Sequence, residues 1–402
     1  MKPMGPIPPY FAGQSGELQI AGRAAGEWVA QAGTPLFVYD TGIVRARVGQ
    51  LRAALPEAVE IHFAIKANPL PAFLAAVAPL VGGLDVASGG ELATALAVKD
   101  AGHISFAGPG KRDVELEAAI AAGATLNLES EGEADRALAI GERLGVTPKL
   151  AVRVNPSFEL KGSGMKMGGR PSPFGIDAVR VPDLVRRLIA AGADWRGFHI
   201  FAGSQALDSD AICETQAATV GLARELADAV GARAPLVNIG GGLGVPYFAG
   251  DTPVDIALVG ARLGEVLEPD QAYAIELGRW IAAECGVYLT RIVDRKVSGD
   301  ETFLICDGGL NHQLAASGNF GTVVRRNYPI AIADKMGAEA AETVSVVGPL
   351  CTPLDRLGDK VALPEARVGD LVAVFLAGAY GASASPSGFL GHGPAAEIVA
   401  EG

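Results

Sequence analysis

Between Ile61 and Gly278, short apolar runs alternate with stretches of helical periodicity, and this pattern constrains the fold more than any other feature of the chain. The runs are Ile61–Ala67, Leu84–Ser88, Ile104–Gly108, Thr125–Glu129, Lys149–Asn155, Gly197–Gly203, Leu236–Gly240 and Tyr273–Gly278. Most are continuously apolar, as strands covered on both faces are. Helical periodicity lies between them, for example over Gly90–Asp100, Val114–Ala122 and Glu131–Leu144. Eight such alternations match a TIM-type (β/α)8 barrel better than an open sheet, at roughly 250 residues for a barrel. From about residue 281 the alternation stops, and Val287–Val297, Thr302–Cys306, Glu342–Val347 and Asp370–Leu376 read as strands split by turns. The expected organisation is an N-terminal arm over 1–35 packing with the C-terminal domain, an α/β barrel over 36–280, and an antiparallel β-barrel or sandwich over 281–402.

Composition narrows the partners. A net charge of -12 argues against nucleic acid and anionic membrane surfaces. The N-terminus, MKPMGPIPPYFAGQSG, lacks the apolar segment of a secretory signal. The longest uncharged apolar stretch, Ala67 to Leu84, is broken by Pro69, Pro71, Pro79, Gly82 and Gly83, so no membrane span is expected. Cys213, Cys285, Cys306 and Cys351 are scattered and form no CxxC pair, and the histidines lack ligand spacing. We expect neither a disulfide framework nor a metal site, and a reducing, cytoplasmic setting.

In such barrels chemistry sits at the carboxyl ends of the strands. The first strand candidate ends in Lys66, ahead of Asn68-Pro69. Burial there would disfavour the ammonium and leave a nucleophilic amine suited to a Schiff base. The same position suits a lysine that merely snorkels to water. The seventh ends in Gly240-Gly241-Gly242, which fits either a backbone anion cradle or a tight turn. The eighth carries Glu276 and leads to Arg279. That carboxylate could hold a proton on the pyridine nitrogen of pyridoxal phosphate (PLP), or could pair structurally with Arg279 or another cation. A dinucleotide site fits less well, because the third glycine of GxGxxG falls on Val245.

Nine ordered motifs carry a resemblance. They are FAIKANP around Lys66, Asp85-Val-Ala-Ser-Gly-Gly-Glu91, Arg153-Val-Asn-Pro, Ser172-Pro-Phe-Gly175, His199-Ile-Phe-Ala-Gly-Ser204-Gln, Asn238-Ile-Gly-Gly-Gly242, Glu276-Leu-Gly-Arg279, Gly348-Pro-Leu-Cys351 and Gly378-Ala-Tyr380-Gly. From about residue 35 to 390 the chain resembles the fold-type III PLP-dependent decarboxylases, the group of diaminopimelate and ornithine decarboxylases. The resemblance implies a PLP-binding barrel in which Lys66 holds PLP as a Schiff base and Glu276 pairs with its pyridine nitrogen. It further implies that Ser204, Gly241, Gly242, Arg279 and Tyr380 bind the phosphate, and that Asp85, Glu91 and Arg153 support the pocket. Cys351, from the partner subunit of a homodimer with shared active sites, would return a proton to carbon.

Four departures bear on the substrate. Phe201 stands where the family often places a histidine against the PLP ring, with His199 two residues earlier on the same strand face. Thr352 follows Cys351, where the amino acid decarboxylases usually carry Asp or Glu for the distal end of the substrate. The glycine-rich segment from Phe158 to Arg170 carries Lys161 and Lys166, and reads either as a surface loop or as a lid or dock for an anionic group. It resembles the exosortase-associated and acyl-carrier-protein-dependent members. The run SPSGFLGHGPAAEIV lacks the arginine and asparagine common in diaminopimelate decarboxylases. The expected function is therefore PLP-dependent α-decarboxylation of an amino acid or derivative. Lys66, Cys351, Glu276 and His199 would be catalytic, with Thr352 and Lys166 toward the substrate. A carrier-tethered aminoacyl group and diaminopimelate are the alternatives within that class. A racemase would pair the pyridine nitrogen with arginine, which Glu276 opposes. A non-catalytic PLP-binding homologue would have lost the lysine, the acid or the thiol, and all three are present.

Overall fold

The computed structural model describes every residue except 163, 167, 170 and 319–325, and all side chains among them save those of 165 and 166. The chain divides into two compact units. One comprises Arg47–Val245 and Pro253–Gly278; the other comprises Met1–Ala46, Pro246–Thr252 and Arg279–Gly402.

The first unit is a closed barrel of eight parallel strands. They are β1 (Val59–Ala64), β2 (Gly83–Val86), β3 (Ile104–Phe106), β4 (Thr125–Leu128), β5 (Lys149–Asn155), β6 (Asp194–Ile200), β7 (Leu236–Asn238) and β8 (Tyr273–Leu277). Each pairs with its neighbours in that order, and β8 pairs back onto β1. The helices start where the sequence supplies caps. Ser88 accepts from the Glu91 N–H at the head of Gly89–Leu96, Ser130 from the Glu133 N–H, and Asp208 from the Ala211 N–H. Several stop at glycines in the left-handed region, Gly123, Gly145 and Gly231.

Register decides what faces the interior. His62 of β1 is paired laterally with Glu276 of β8 and Gly83 of β2, and Ala64 with Asp85. Laterally paired residues of parallel strands point to one side of the sheet, as do residues two apart. His62, Asp85 and Glu276 therefore share the barrel interior, as does His199 through the pairing His199–Asn238–Ala274. Their outward neighbours Ile61, Phe63, Leu84 and Ile275 are buried on the other face. Apolar burial outside, at roughly 1.5–3 kcal/mol per large side chain, offsets the cost of a polar interior.

The second unit is a mixed β domain. Its long strand β9 (Gly286–Ser298) pairs antiparallel with β10 (Glu301–Cys306), with β14 (Leu371–Val374) and with the early strand Leu36–Asp40. Strand β11 (Ile330–Ile332) joins β14, and β12 (Glu342–Val347) joins β13 (Arg356–Leu363). Two pairings are parallel, where sequence reasoning expected antiparallel ones throughout: β10 with β12, and Leu36–Asp40 with the last strand β15 (Ala396–Ala400). Four of these strands were not foreseen, those at Leu36–Asp40, Ile330–Ile332, Arg356–Leu363 and Ala396–Ala400. Among the described residues no helix is long and apolar enough to cross a membrane.

Candidate active site

Lys66 does not end a buried strand. β1 stops at Ala64, and Lys66 lies on the single 3-10 turn Ile65–Ala67 with its side chain 48% exposed. The strand stops three residues before Ala67, where the apolar pattern ends, because the chain turns into 3-10 geometry there. Burial therefore does not activate this amine. A carboxylate faces it instead: Lys66 Nζ is 3.6 Å from Glu276 Oε1.

Glu276 is the electrostatic centre of the barrel mouth. Its Oε2 lies 2.9 Å from His199 Nε2. Burial alone would raise its pKa, but Lys66, His199 and Arg153 together outweigh that and hold the carboxyl far below the usual range. The other ring nitrogen of His199, Nδ1, is buried without a hydrogen-bond partner. Phe201 stacks against the His199 ring with centroids 6.4 Å apart, and Lys66 Nζ lies 5.9 Å from the Phe201 centroid. The aromatic face thus sits beside both the amine and His199.

The remaining barrel residues support this group. Glu91 does not reach into the site by a hydrogen bond of its own. Its Oε2 accepts from the Ala87 N–H at 2.7 Å and closes the loop after β2, and burial raises its pKa. Arg153 donates to Glu129 Oε1 at 2.9 Å and stands over the Phe174 ring. Glu129 also accepts from the N–H groups of Gly108 and Gly175, so one buried carboxylate ties together the loops after β3 and β5. Lys111, also near a strand tip, is structural: its Nζ pairs with Glu133 at 2.8 Å and both are almost fully buried.

The triple glycine forms a cradle. Gly240 and Gly242 have φ of +72° and +102°, and a Cβ on Gly241 would lie 2.0 Å from the Glu276 carbonyl oxygen. Only glycine lets this turn approach β8 so closely. Gln205 clamps the neighbouring loop, donating to Val245 O at 2.7 Å and accepting from its N–H. Gly203–Ser204 forms a two-residue antiparallel pair with Met165–Lys166. The backbone of Met165–Lys166 thus lies beside Ser204, while the Lys166 side chain and Arg170 lie outside the described residues.

The second unit carries the other expected residues. Arg279 donates to the Tyr247 hydroxyl at 2.9 Å and lies 4.6 Å from the Tyr380 ring centroid. Its Nε is buried without an acceptor. Tyr380 has φ +57°, a strained backbone for a non-glycine residue. Cys351 is exposed, on a loop that Asp355 pins by accepting from the Leu310 and Leu350 N–H groups. The Thr352 hydroxyl accepts from the Leu354 N–H, an internal turn contact. Tyr247 carried no sequence signal, because a tyrosine after a glycine loop is ordinary until its partner is seen.

Within the barrel unit the donor set fits PLP: an amine facing an acid, an aromatic face and a side-chain-free glycine cradle. The comparisons agree. The family described as "Pyridoxal-dependent decarboxylase, pyridoxal binding domain" matches residues 41–290, more than half of the chain. This chain belongs to the pyridoxal-dependent decarboxylase family. It is 37% identical over 382 residues to the L-glutamyl-[BtrI acyl-carrier protein] decarboxylase of Niallia circulans, covering 91% of this chain and 88% of that one. It is 31% identical to the 2-[(L-alanin-3-ylcarbamoyl)methyl]-2-hydroxybutanedioate decarboxylase of Staphylococcus aureus, covering 89% and 91%. The crystal structure of diaminopimelate decarboxylase from Helicobacter pylori complexed with L-lysine superposes with a TM-score of 0.80 at 27% identity, covering 90% of each chain.

One residue absent from the expected set is His62. Its Nδ1 lies 3.5 Å from Asp85 Oδ2 and its Nε2 3.4 Å from Glu60 Oε2. Burial opposes the imidazolium most strongly, but Asp85 and Glu60 outweigh it and push His62 up to about 10 from 6.5. The folded state thus binds a proton more tightly than the unfolded chain. The stability it contributes is complete below about pH 6.5 and is lost as pH rises toward 10. Urea unfolding at pH 7 and pH 10 should therefore show a smaller loss in His62→Gln than in the parent protein.

Proposed function

We propose that this decarboxylase removes the α-carboxylate of an amino acid whose distal end is masked, with an aminoacyl group tethered to an acyl carrier protein as the foremost substrate. The observation that carries the chemistry is Glu276 held between Lys66 at 3.6 Å and His199 at 2.9 Å. Bound there, PLP supplies the electron sink for the carbanion left when carbon dioxide departs. Lys66 holds the cofactor through its amine. Glu276 keeps a proton at the pyridine nitrogen, and His199 fixes the orientation of Glu276. Ser204, Gly241, Gly242, Arg279 and Tyr380 bind the phosphate, while Asp85, Glu91 and Arg153 support the pocket. Cys351 delivers a proton to the α-carbon from the partner subunit of a homodimer, for which its exposure suits it. The setting is cytoplasmic.

The substrate assignment rests on Thr352 and on two relatives. Thr352 is neutral and already engaged with the Leu354 N–H, so it offers no anion to a distal ammonium. The substrates named for these two relatives carry the amino acid on a carrier protein or through a carbamoyl link. Purified protein should show a visible absorption band with PLP that Lys66→Ala removes. Carbon dioxide release should be at least about tenfold faster with a carrier-tethered aminoacyl substrate than with free diaminopimelate, the least that one lost charge pair implies. Equal or faster turnover of free diaminopimelate would overturn the substrate assignment and leave the decarboxylase chemistry standing.

A further inference from the structure

Two carboxylates share the barrel interior. Asp85 and Glu276 are both buried, and Asp85 has no hydrogen-bond donor on either oxygen. Burial raises the Asp85 pKa most, and the charge of Glu276 raises it further. Two like charges in one buried interior resolve by one of them taking up a proton unless a cation is supplied. Lys66 and His199 serve Glu276. The only cation within ion-pair distance of Asp85, among the described residues, is His62 at 3.5 Å.

The surroundings of His62 are built for it. A Cβ on Gly83 would lie 2.6 Å from the imidazole ring, so β2 gives up a side chain to admit it. Gly82 likewise leaves room for Glu60, whose Oε2 receives the far side of the ring. The charged groups facing this pair are Glu60 on β1, Asp85 on β2, His199 on β6 and Glu276 on β8. Lys99 and His103 lie beyond Glu60.

We propose that His62 is a positioning residue for the cofactor site: held as an imidazolium between Asp85 and Glu60, it lets Asp85 and Glu276 remain ionised together, and so preserves the acid that Glu276 offers to the cofactor. It acts through Asp85, 3.5 Å away. When the imidazolium is removed, the interior takes up one proton. Whichever carboxylate receives it, one of the two negative charges in the barrel interior is lost. The inference rests on the PLP reading above, but its test separates the two.

The test is a double-mutant cycle with His62→Gln, Asp85→Asn and the pair combined, read as PLP affinity of the apo chain across pH. In the parent background H62Q should weaken PLP about tenfold at neutral pH and move the acid limb of the affinity profile up by about one unit, since one pKa unit is tenfold. In the D85N background the same substitution should cost less than about threefold, because the second carboxylate is already neutral. An equal cost in both backgrounds would mean that the ring only fills space, and would overturn the proposal. Histidine-ring NMR supplies a second readout that needs neither cofactor nor a folded H62Q. His62 should stay protonated to near pH 10 in the parent chain and titrate at least about one unit lower in D85N. A His62 titrating near 6.5 in the folded parent refutes it. If PLP leaves no Lys66-dependent band, the cofactor reading fails while the ring titration still reports on the pair.

Discussion

Glu276→Gln should lower kcat by about 10² to 10³-fold while weakening the apparent affinity for PLP by only about tenfold. The substitution keeps shape and a hydrogen bond to His199 but removes the charge. Glu276 is held ionised despite its burial because Lys66, His199 and Arg153 all favour the anion. A neutral amide cannot keep a proton on the pyridine nitrogen, and an unprotonated ring accepts the carbanion's electrons less well. The loss should appear in kcat, because the charge matters most where electrons flow into the ring. Steady-state kinetics with the best substrate from the carbon dioxide screen provides the measurement. A loss below about tenfold would remove Glu276 from the chemistry. The same variant frees one lobe of the buried pair: His199 then loses its anionic partner at 2.9 Å, so thermal stability should fall as well.

Gly241→Ala should weaken PLP binding by roughly tenfold to 150-fold and destabilise the barrel by about 1–3 kcal/mol. The new Cβ would sit 2.0 Å from the Glu276 carbonyl oxygen, roughly an ångström inside van der Waals contact. Both atoms belong to backbone, so no side chain can yield. The strain must be relieved by moving the glycine turn or β8, and β8 carries Glu276 two bonds from the clash. One lost charge-assisted hydrogen bond to the phosphate, at about 1.5–3 kcal/mol, accounts for the affinity change. Gly264→Ala is the control, because its Cβ meets only Pro56 Cγ at 3.6 Å, an ordinary contact. Fluorescence titration of the apo chain and urea unfolding read the two effects separately. An unaffected PLP affinity in G241A would show that the turn does not bear on the phosphate.

The parts of the fold legible in the chain were those with strong local signals. β5 runs Lys149–Asn155 and the helix after β4 runs Glu131–Leu144, both as the pattern predicts, because a buried strand and a capped amphipathic helix each declare themselves within one segment. Leu36–Asp40 was missed although it is fully buried. Its partners β9 and β15 lie some 250 and 360 residues away in sequence, and no local pattern reports such pairing.

The residue types at the barrel mouth were settled by sequence: Lys66, Glu276 and the three glycines stand at strand ends because the alternation of strands and helices puts them there. Their working state was decided only in three dimensions. Lys66 is half-exposed and answered by a carboxylate rather than buried, Glu91 closes its own loop, and His62 stands in the interior between Asp85 and Glu60. The physical reason is that pKa and orientation depend on which groups stand within about 4–6 Å, and those neighbours come from strands far apart in the chain.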